Sequence, residues 1–301
     1  MPRARNGDTE LEYEELGPTS GEPILLIMGI GGQLTAWNDE FCELLVEHGH
    51  RVVRFDNRDV GLSSRTPGSA PTQRDLAPLL LRQPGARQRV RVPYDFSDMA
   101  ADTVAVMDAA GMASAHVVGA SMGGMIAQTL AIEHPERVRS LTSIMSNTGA
   151  LRDGVPTFRV MRNAARSRPV SPAEALESDL ARTEMISGPH FDRAAARATL
   201  ERSQARAFTP EGVLFQAAAI FASPDRTPRL RQLRVPTLVI HGRLDPLVRL
   251  RGGIATARAV PGAELIVHHD MAHDLPRPLW PSITRSISAH ASRPVITGSS
   301  A

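Results

Sequence analysis

The stretch HVVGASMGGMIAQ, His116 to Gln128, constrains this chain more than any other. An apolar run leads straight into Gly119-Ala120-Ser121-Met122-Gly123, and a helical pattern follows at once. A core strand that merely passed into a helix would not need these glycines. The spacing Gly-x-Ser-x-Gly between a strand and a helix has a specific physical reading. A turn this sharp leaves no room for side chains at Gly119 and Gly123, which face each other across it. Its strained backbone pushes the Ser121 hydroxyl out at the C-terminal edge of a sheet. The helix that starts near Gly123 aims its dipole and free N–H groups at the same point. Ser121 is therefore the candidate nucleophile.

The rest of the chain supplies the sheet that such a turn needs. Short runs rich in Val, Ile and Leu read as strands: Pro23–Gly29, Arg51–Asp56, Ala115–Ser121, Ser140–Ser146, Pro236–Gly242 and Ala263–His269. Several are apolar at consecutive positions, the mark of strands covered on both faces. LEYEELG, near the start, alternates and is expected as an antiparallel edge strand. Helical patterns fall at about 36–48, 97–111, 123–134, 249–260 and 277–290. Strand then helix, repeated, predicts a mostly parallel sheet flanked by helices. The alternation breaks once. Residues 147–229 are mostly helical, with Pro156, Pro172 and Pro210 at or near helix starts. The expected organisation is thus a core of 1–146 and 230–301, with a helical cap of 147–229 inserted after the strand at 140–146. The tail SRPVITGSSA is expected to be loose.

A serine hydroxyl is inert at neutral pH unless a base takes its proton. The base should be a histidine oriented by a carboxylate. On a strand–turn–helix of this kind the partners follow in the order serine, acid, histidine. VIHGRLDPLV places Asp245 just past a strand end, and LIVHHDMAHDLP places His273 just past the last strand. The other nine histidines fit less well. His48, His50 and His134 read as surface or capping groups at helix ends on the opposite sheet edge. His116 begins the nucleophile's strand, at the wrong end. His190 lies in the insertion and His290 near the tail. His268 and His269 come too early for the loop, and His241 precedes the acid and reads as packing around it. Asp270 and Asp274 are too close in sequence to the base, and Asp274 is expected to be a solvated neighbour.

The tetrahedral intermediate needs two N–H donors. One is Met122, the residue after the nucleophile. The other is expected in GIGGQ after the first parallel strand: Ile30, with Gly29 or Gly31 as alternatives.

Composition excludes other chemistries. All 34 basic residues are arginine. Without lysine there is no Schiff base to pyridoxal phosphate and no Walker-A lysine. The arginines are scattered and the net charge is +2, so no nucleic-acid footprint is expected. Cys42 stands alone, ruling out an intrachain disulfide and a multi-cysteine zinc site. It reads as a small core residue. The longest apolar stretch is too short to span a bilayer, and a cytoplasmic protein is expected. Hydrophobic residues make up 42%, enough to fill a large core.

With these pieces placed, nearly the whole chain resembles the α/β-hydrolase superfamily. FDNRDVGLSSR (Phe55–Arg65) is similar to that superfamily's Asp-x-Arg-x-x-Gly-x-Ser loop. HGRLDPLV and MAHDLP resemble its acid and histidine loops. IMGIGG, DNRDVGLSS and SMGGMIAQ together look most like the serine carboxylesterase group that includes aclacinomycin methylesterase and actinobacterial lipases and esterases. One departure matters: many members carry His-Gly ahead of the oxyanion loop, and here it is Met28-Gly29. The resemblance implies acyl transfer on Ser121, with no metal and no organic cofactor. It implies a small-molecule ester substrate of small to medium size and hydrophobic character. Met28, Met122, Met125, Met145 and, in the cap, Phe158, Met161, Leu176, Met185, Leu214, Phe215 and Phe221 are candidate pocket residues or core filling. Of these Met28, Met145 and Phe215 are the first choices. Arg159 and Arg162 are candidate partners for a substrate carboxylate or members of a solvated helix face. Enol-lactone, thioester or carbon–carbon bond hydrolysis on the same residues stays open, as does a non-catalytic ligand-binding role. The oligomeric state is open too.

Overall fold

The computed structural model describes residues 2–72, 75–76, 78, 92–150, 153, 156–157, 159–160 and 171–293. Phe158, Met161 and Arg162, and the tail from residue 294 onward, lie outside the described residues.

Among the described residues eight strands form one sheet: β1 (Arg3–Asn6), β2 (Thr9–Leu16), β3 (Glu22–Ile27), β4 (His50–Phe55), β5 (Ala115–Ala120), β6 (Val138–Ile144), β7 (Thr237–Gly242) and β8 (Glu264–His268). Their order is β1-β2-β4-β3-β5-β6-β7-β8. The six from β3 to β8 run parallel to their sheet neighbours among themselves, while β2 is antiparallel to both β1 and β4. LEYEELG is therefore antiparallel as expected, but it is not the edge. A polar hairpin partner, β1, lies outside it, joined through Gly7 with φ 58°. The signal was present as Asn6-Gly7, a dipeptide that favours a tight hairpin.

The inner parallel strands are buried on both faces, and alternate residues go to different layers. In β3, Ile24 and Leu26 face α1 (Asp39–Glu47) and α8 (Trp280–Ala291), packing with Phe41, Leu45, Ile283 and Ile287. Leu25 and Ile27 face α2 (Phe96–Ala109) and α3 (Met122–Glu133), with Met99, Met107, Ile126 and Leu130. This explains why the strands read as continuous apolar runs. Caps set the helix starts: the Asp95 side chain accepts the N–H groups of Ser97 and Asp98 ahead of α2, and Asn38 accepts that of Glu40 ahead of α1. Between β6 and β7 the chain forms α4 (Pro172–Ile186), α5 (Arg193–Arg206), α6 (Gly212–Ala222) and a helical turn at Thr227–Leu230. Helix α7 (Arg251–Ala259) links β7 to β8.

The register places the functional loops together. Ile27 pairs with Gly119, Ala120 with Ile144, Ile144 with Ile240 and Gly242 with His268. The parallel strands from β3 to β8 thus end level, and the loops after β3, β5, β7 and β8 open at one sheet edge.

The opposite edge holds a histidine cluster, and His50 is not the surface group expected there. It is buried, and its Nε2 lies 3.0 Å from Ser288 Oγ. His116 Nδ1 lies 2.8 Å from Ser140 Oγ, and His290 is buried on α8. Burial, chiefly, holds all three below the ordinary histidine range, and His116 falls to about 4. Nearby charge adds to this at His116, which faces the Arg139 guanidinium. All three histidines therefore bind a proton less readily in the fold than in the unfolded chain, where the ordinary value is 6.5. Stability is therefore fully present above that value and falls as pH drops below it. His116 alone is expected to cost about 1 kcal/mol at about pH 5.5. Urea unfolding of wild type and His116→Gln at about pH 7.5 and 5.5 checks this, with the variant losing less of its midpoint on acidification. Equal losses would refute it.

Candidate active site

Ser121 sits between β5 and α3 with φ 55° and ψ −118°. A Cβ placed on Gly119 would lie 2.2 Å from the Gly123 carbonyl oxygen, so those two glycines do face each other across the turn. A Cβ on Gly123 would instead lie 2.0 Å from Ile27 O, at the end of β3. That second constraint comes from the neighbouring strand and has no trace in the local pattern.

Asp245 lies three residues past β7 and is buried. Its Oδ1 accepts the N–H groups of Leu247 and Val248 at 2.9 and 2.8 Å, which fixes the carboxylate and turns Oδ2 toward His273. His273 Nδ1 is 2.7 Å from Asp245 Oδ2, and His273 Nε2 is 3.0 Å from Ser121 Oγ. A carboxylate only accepts, so Nδ1 carries the proton and Nε2 is left to accept from the serine hydroxyl. His241 braces the acid loop. It is fully buried, donates Nε2–H to Val248 O at 2.7 Å, and burial pushes its imidazole below the usual range.

The helical insertion grips the histidine loop. The His273 N–H donates to Ile186 O at the end of α4, at 3.0 Å. Asp274 is not a solvated neighbour. Its Oδ1 accepts the Ala272 N–H at 3.0 Å and its Oδ2 the Gly188 N–H at 3.1 Å, and burial raises its carboxyl above the ordinary range. His190 Nε2 lies 2.5 Å from Asp270 Oδ2. Sequence distance argued against Asp270 and Asp274 as acids for His273. It hid their contacts with residues some 80 positions away.

On the other side of Ser121, the loop after β3 is held by residues that sequence reasoning did not single out. Gln33 Nε2 donates to Ser203 O and Ala207 O at the end of α5, at 2.7 and 2.9 Å. Arg206 pairs with Gln33 Oε1 at 3.0 Å and with the fully buried Asp56 at 2.5 Å. Asp56 also accepts the N–H groups of Leu34 and Leu62. The motif FDNRDVGLSSR pointed to Asp56, but its partners become visible only in three dimensions. Of the candidate N–H donors, that of Gly31 already bonds Gln216 Oε1 at 2.8 Å; the next N–H along, that of Gly32, closes a turn onto Gly29 O at 3.2 Å. Among the described residues the N–H groups of Gly29 and Ile30 meet no acceptor, and a Cβ on Gly29 would lie 3.1 Å from Ser121 Cβ. Met122 is the first residue of α3, so its N–H has no acceptor within the helix.

Met122, Met145 and Phe215 are buried in the core, while Met28 is half-buried against the same cluster as Met145. Phe221 is 37% exposed and Arg159 is exposed. At the neck of the insertion, buried Arg226 donates to Gln128 Oε1, Ser223 Oγ and Asn147 O and lies over the Phe96 ring. Its burial lowers the guanidinium to about 10. No group of three or more His, Cys, Asp or Glu among the described residues is arranged to hold a metal ion. No helix among them is long and apolar enough to cross a membrane.

Comparisons with known proteins agree with this architecture. Rhodomycin D methylesterase DnrP of Streptomyces peucetius is 29% identical over 306 residues, covering 95% of this chain and 96% of that protein. Rhodomycin D methylesterase DauP of Streptomyces sp. strain C5 is 28% identical, covering 94% and 95%. The crystal structure of an enol-lactonase from Burkholderia xenovorans LB400 superposes with a TM-score of 0.71 at 20% identity, over 97% of this chain and 100% of that one, a likeness of fold. The family model for the alpha/beta hydrolase fold matches residues 22–276, which span β3 through the histidine loop, and the chain therefore belongs to the α/β-hydrolase fold family.

Proposed function

We propose that this protein is a serine hydrolase that cleaves carboxylic esters through an acyl-enzyme on Ser121. The observation that carries the reading is the chain Ser121 Oγ, His273 Nε2, His273 Nδ1, Asp245 Oδ2, with contacts of 3.0 and 2.7 Å at one sheet edge. His273 takes the hydroxyl proton as Ser121 attacks the ester carbonyl, and the Asp245 carboxylate stabilises the imidazolium that forms. The N–H groups of Met122 and Ile30 receive the oxyanion. His273 then gives its proton to the departing alkoxide. Water enters, loses a proton to the same nitrogen and releases the acid. No step needs a metal or an organic cofactor. The methylesterase relatives span almost the whole chain, which supports an ester as the bond cleaved. The insertion of residues 147–229 acts as a cap, and its Phe215 packs into the buried cluster that also holds Ile27 and Met122. A hydrophobic substrate of small to medium size suits such a boundary.

The test is hydrolysis of p-nitrophenyl esters from acetate to palmitate, together with methyl esters of aromatic acids, alongside labelling by a fluorophosphonate. Turnover of the shorter or aromatic esters and labelling at Ser121 are expected. Labelling without ester turnover moves the assignment to lactones, thioesters or carbon–carbon bonds on the same residues. Neither labelling nor turnover would leave a ligand-binding member of the fold.

A further inference from the structure

Residues 28–32 contain three glycines and belong to no strand or helix. Such a backbone takes many shapes unless groups outside it hold one. From the core side, Asn57 Nδ2 donates to Met28 O at 3.0 Å. From the insertion comes Gln216 on α6, which is fully buried. Its Oε1 accepts the Gly31 N–H at 2.8 Å, and its Nε2–H donates to Arg58 O at 2.8 Å. One side-chain amide thus ties the loop after β3 to the loop after β4. The approach is close on both sides. Gly31 has φ +69°, and a Cβ there would lie 2.9 Å from Val213 Cγ2. A Cβ on Gly212, the first residue of α6, would lie 1.9 Å from Asp59 O.

The two bonds ask for one acceptor and one donor on the same short group, and a primary amide supplies both without charge. An apolar side chain would leave the Gly31 N–H and the Arg58 carbonyl unpaired. With the Gly31 N–H turned to Gln216, the neighbouring N–H groups of Ile30 and Gly29 have no partner among the described residues, and Gly29 lies against Ser121.

We propose that Gln216 is a positioning residue for the hydrolytic step: by holding Gly31 it aims the Ile30 N–H at the developing oxyanion, so that turnover depends on α6 of the insertion being seated. The inference rests on the reading of Ser121 as nucleophile. Gln216 touches no reacting atom and acts through the loop. A donor of this kind works only when held within about 0.5 Å of its place. Its complete loss costs about 10²–10³-fold in kcat. Loosening it is expected to cost about 10-fold.

The experiment compares wild type, Gln216→Leu and Gln216→Glu, with kcat expressed per active site titrated by a fluorophosphonate. For Gln216→Leu, kcat per site is expected to fall about 10-fold with KM within about twofold. Affinity for an arylboronic acid, whose adduct on Ser121 places an oxygen in the oxyanion position, should fall by a similar factor. A residue that only stabilised the fold would change the number of titratable sites and the urea midpoint, and would leave kcat per site alone. For Gln216→Glu, a protonated carboxyl both accepts and donates, whereas the carboxylate only accepts. The ratio of its kcat to that of wild type should therefore rise as pH falls, a ratio in which the titration of His273 cancels. If Gln216→Leu folds too poorly to assay, this ratio decides alone. An unchanged kcat per site, a rise in KM alone, or a flat pH ratio overturns the proposal while leaving Ser121 in place. Wild type that neither labels nor turns over overturns the reading of Ser121, and this inference with it.

Discussion

Ser121→Ala is expected to lower kcat by about 10⁶-fold while leaving the fold intact. The size follows from what is removed. On the proposed mechanism no acyl-enzyme forms without Oγ, and what remains is the oxyanion donors assigned to Met122 and Ile30 and the substrate-binding surface. Such remnants still give about 10³–10⁴-fold over water. The fold should not change, because among the described residues the hydroxyl hydrogen-bonds only His273 and alanine carries no greater penalty than serine at φ 55°. The measurement is steady-state hydrolysis of the best ester found, with a urea titration as control. A kcat within about tenfold of wild type, at an unchanged urea midpoint, would sink the assignment.

Asp245→Asn is expected to cost about 10⁴-fold in kcat, although it changes a single atom type. The backbone N–H groups of Leu247 and Val248 hold one oxygen of residue 245 at 2.9 and 2.8 Å, and an amide oxygen can keep that place. The amide NH₂ then takes the place of Oδ2 and presents a donor to His273 Nδ1. The imidazole answers by moving its proton to Nε2, where it faces Ser121 Oγ as a donor and can no longer take the serine proton. Geometry survives and the tautomer is wrong. The rate of fluorophosphonate labelling should fall with kcat, since both need an activated Ser121. A loss below about tenfold, in a variant whose urea midpoint matches wild type, would mean that another group orients His273.

That Ser121, Asp245 and His273 come together at one sheet edge was legible in the sequence for different reasons. Ser121 is announced by its own neighbours, because the turn's strain and the glycines that permit it are local. Asp245 and His273 were found by counting strand ends in VIHGRLDPLV and LIVHHDMAHDLP, which works only because parallel strands end level. The sheet's outer hairpin was missed because β1 is short and polar, as an edge strand can be. His50 was misjudged, and its cluster with His116 and His290 missed, for a related reason: their burial depends on α8 and on strand neighbours such as Ser140, far away in sequence.

The sequence by itself determined the layered parallel fold, the strained serine turn and the strand ends that carry Asp245 and His273. Each is written in a periodicity or a short-range spacing that follows from the geometry of the chain. Only the tertiary structure decided how the site is held together. The 2.0 Å limit at Gly123 set by Ile27, the Asp274 bridge to Gly188, the Arg206–Asp56 pair and the Gln216 amide between Gly31 and Arg58 all join distant segments. Side chains of this kind carry no mark in their local sequence. A glutamine on an apolar helix looks the same whether it meets water or two buried backbone groups, and burial alone distinguishes the two.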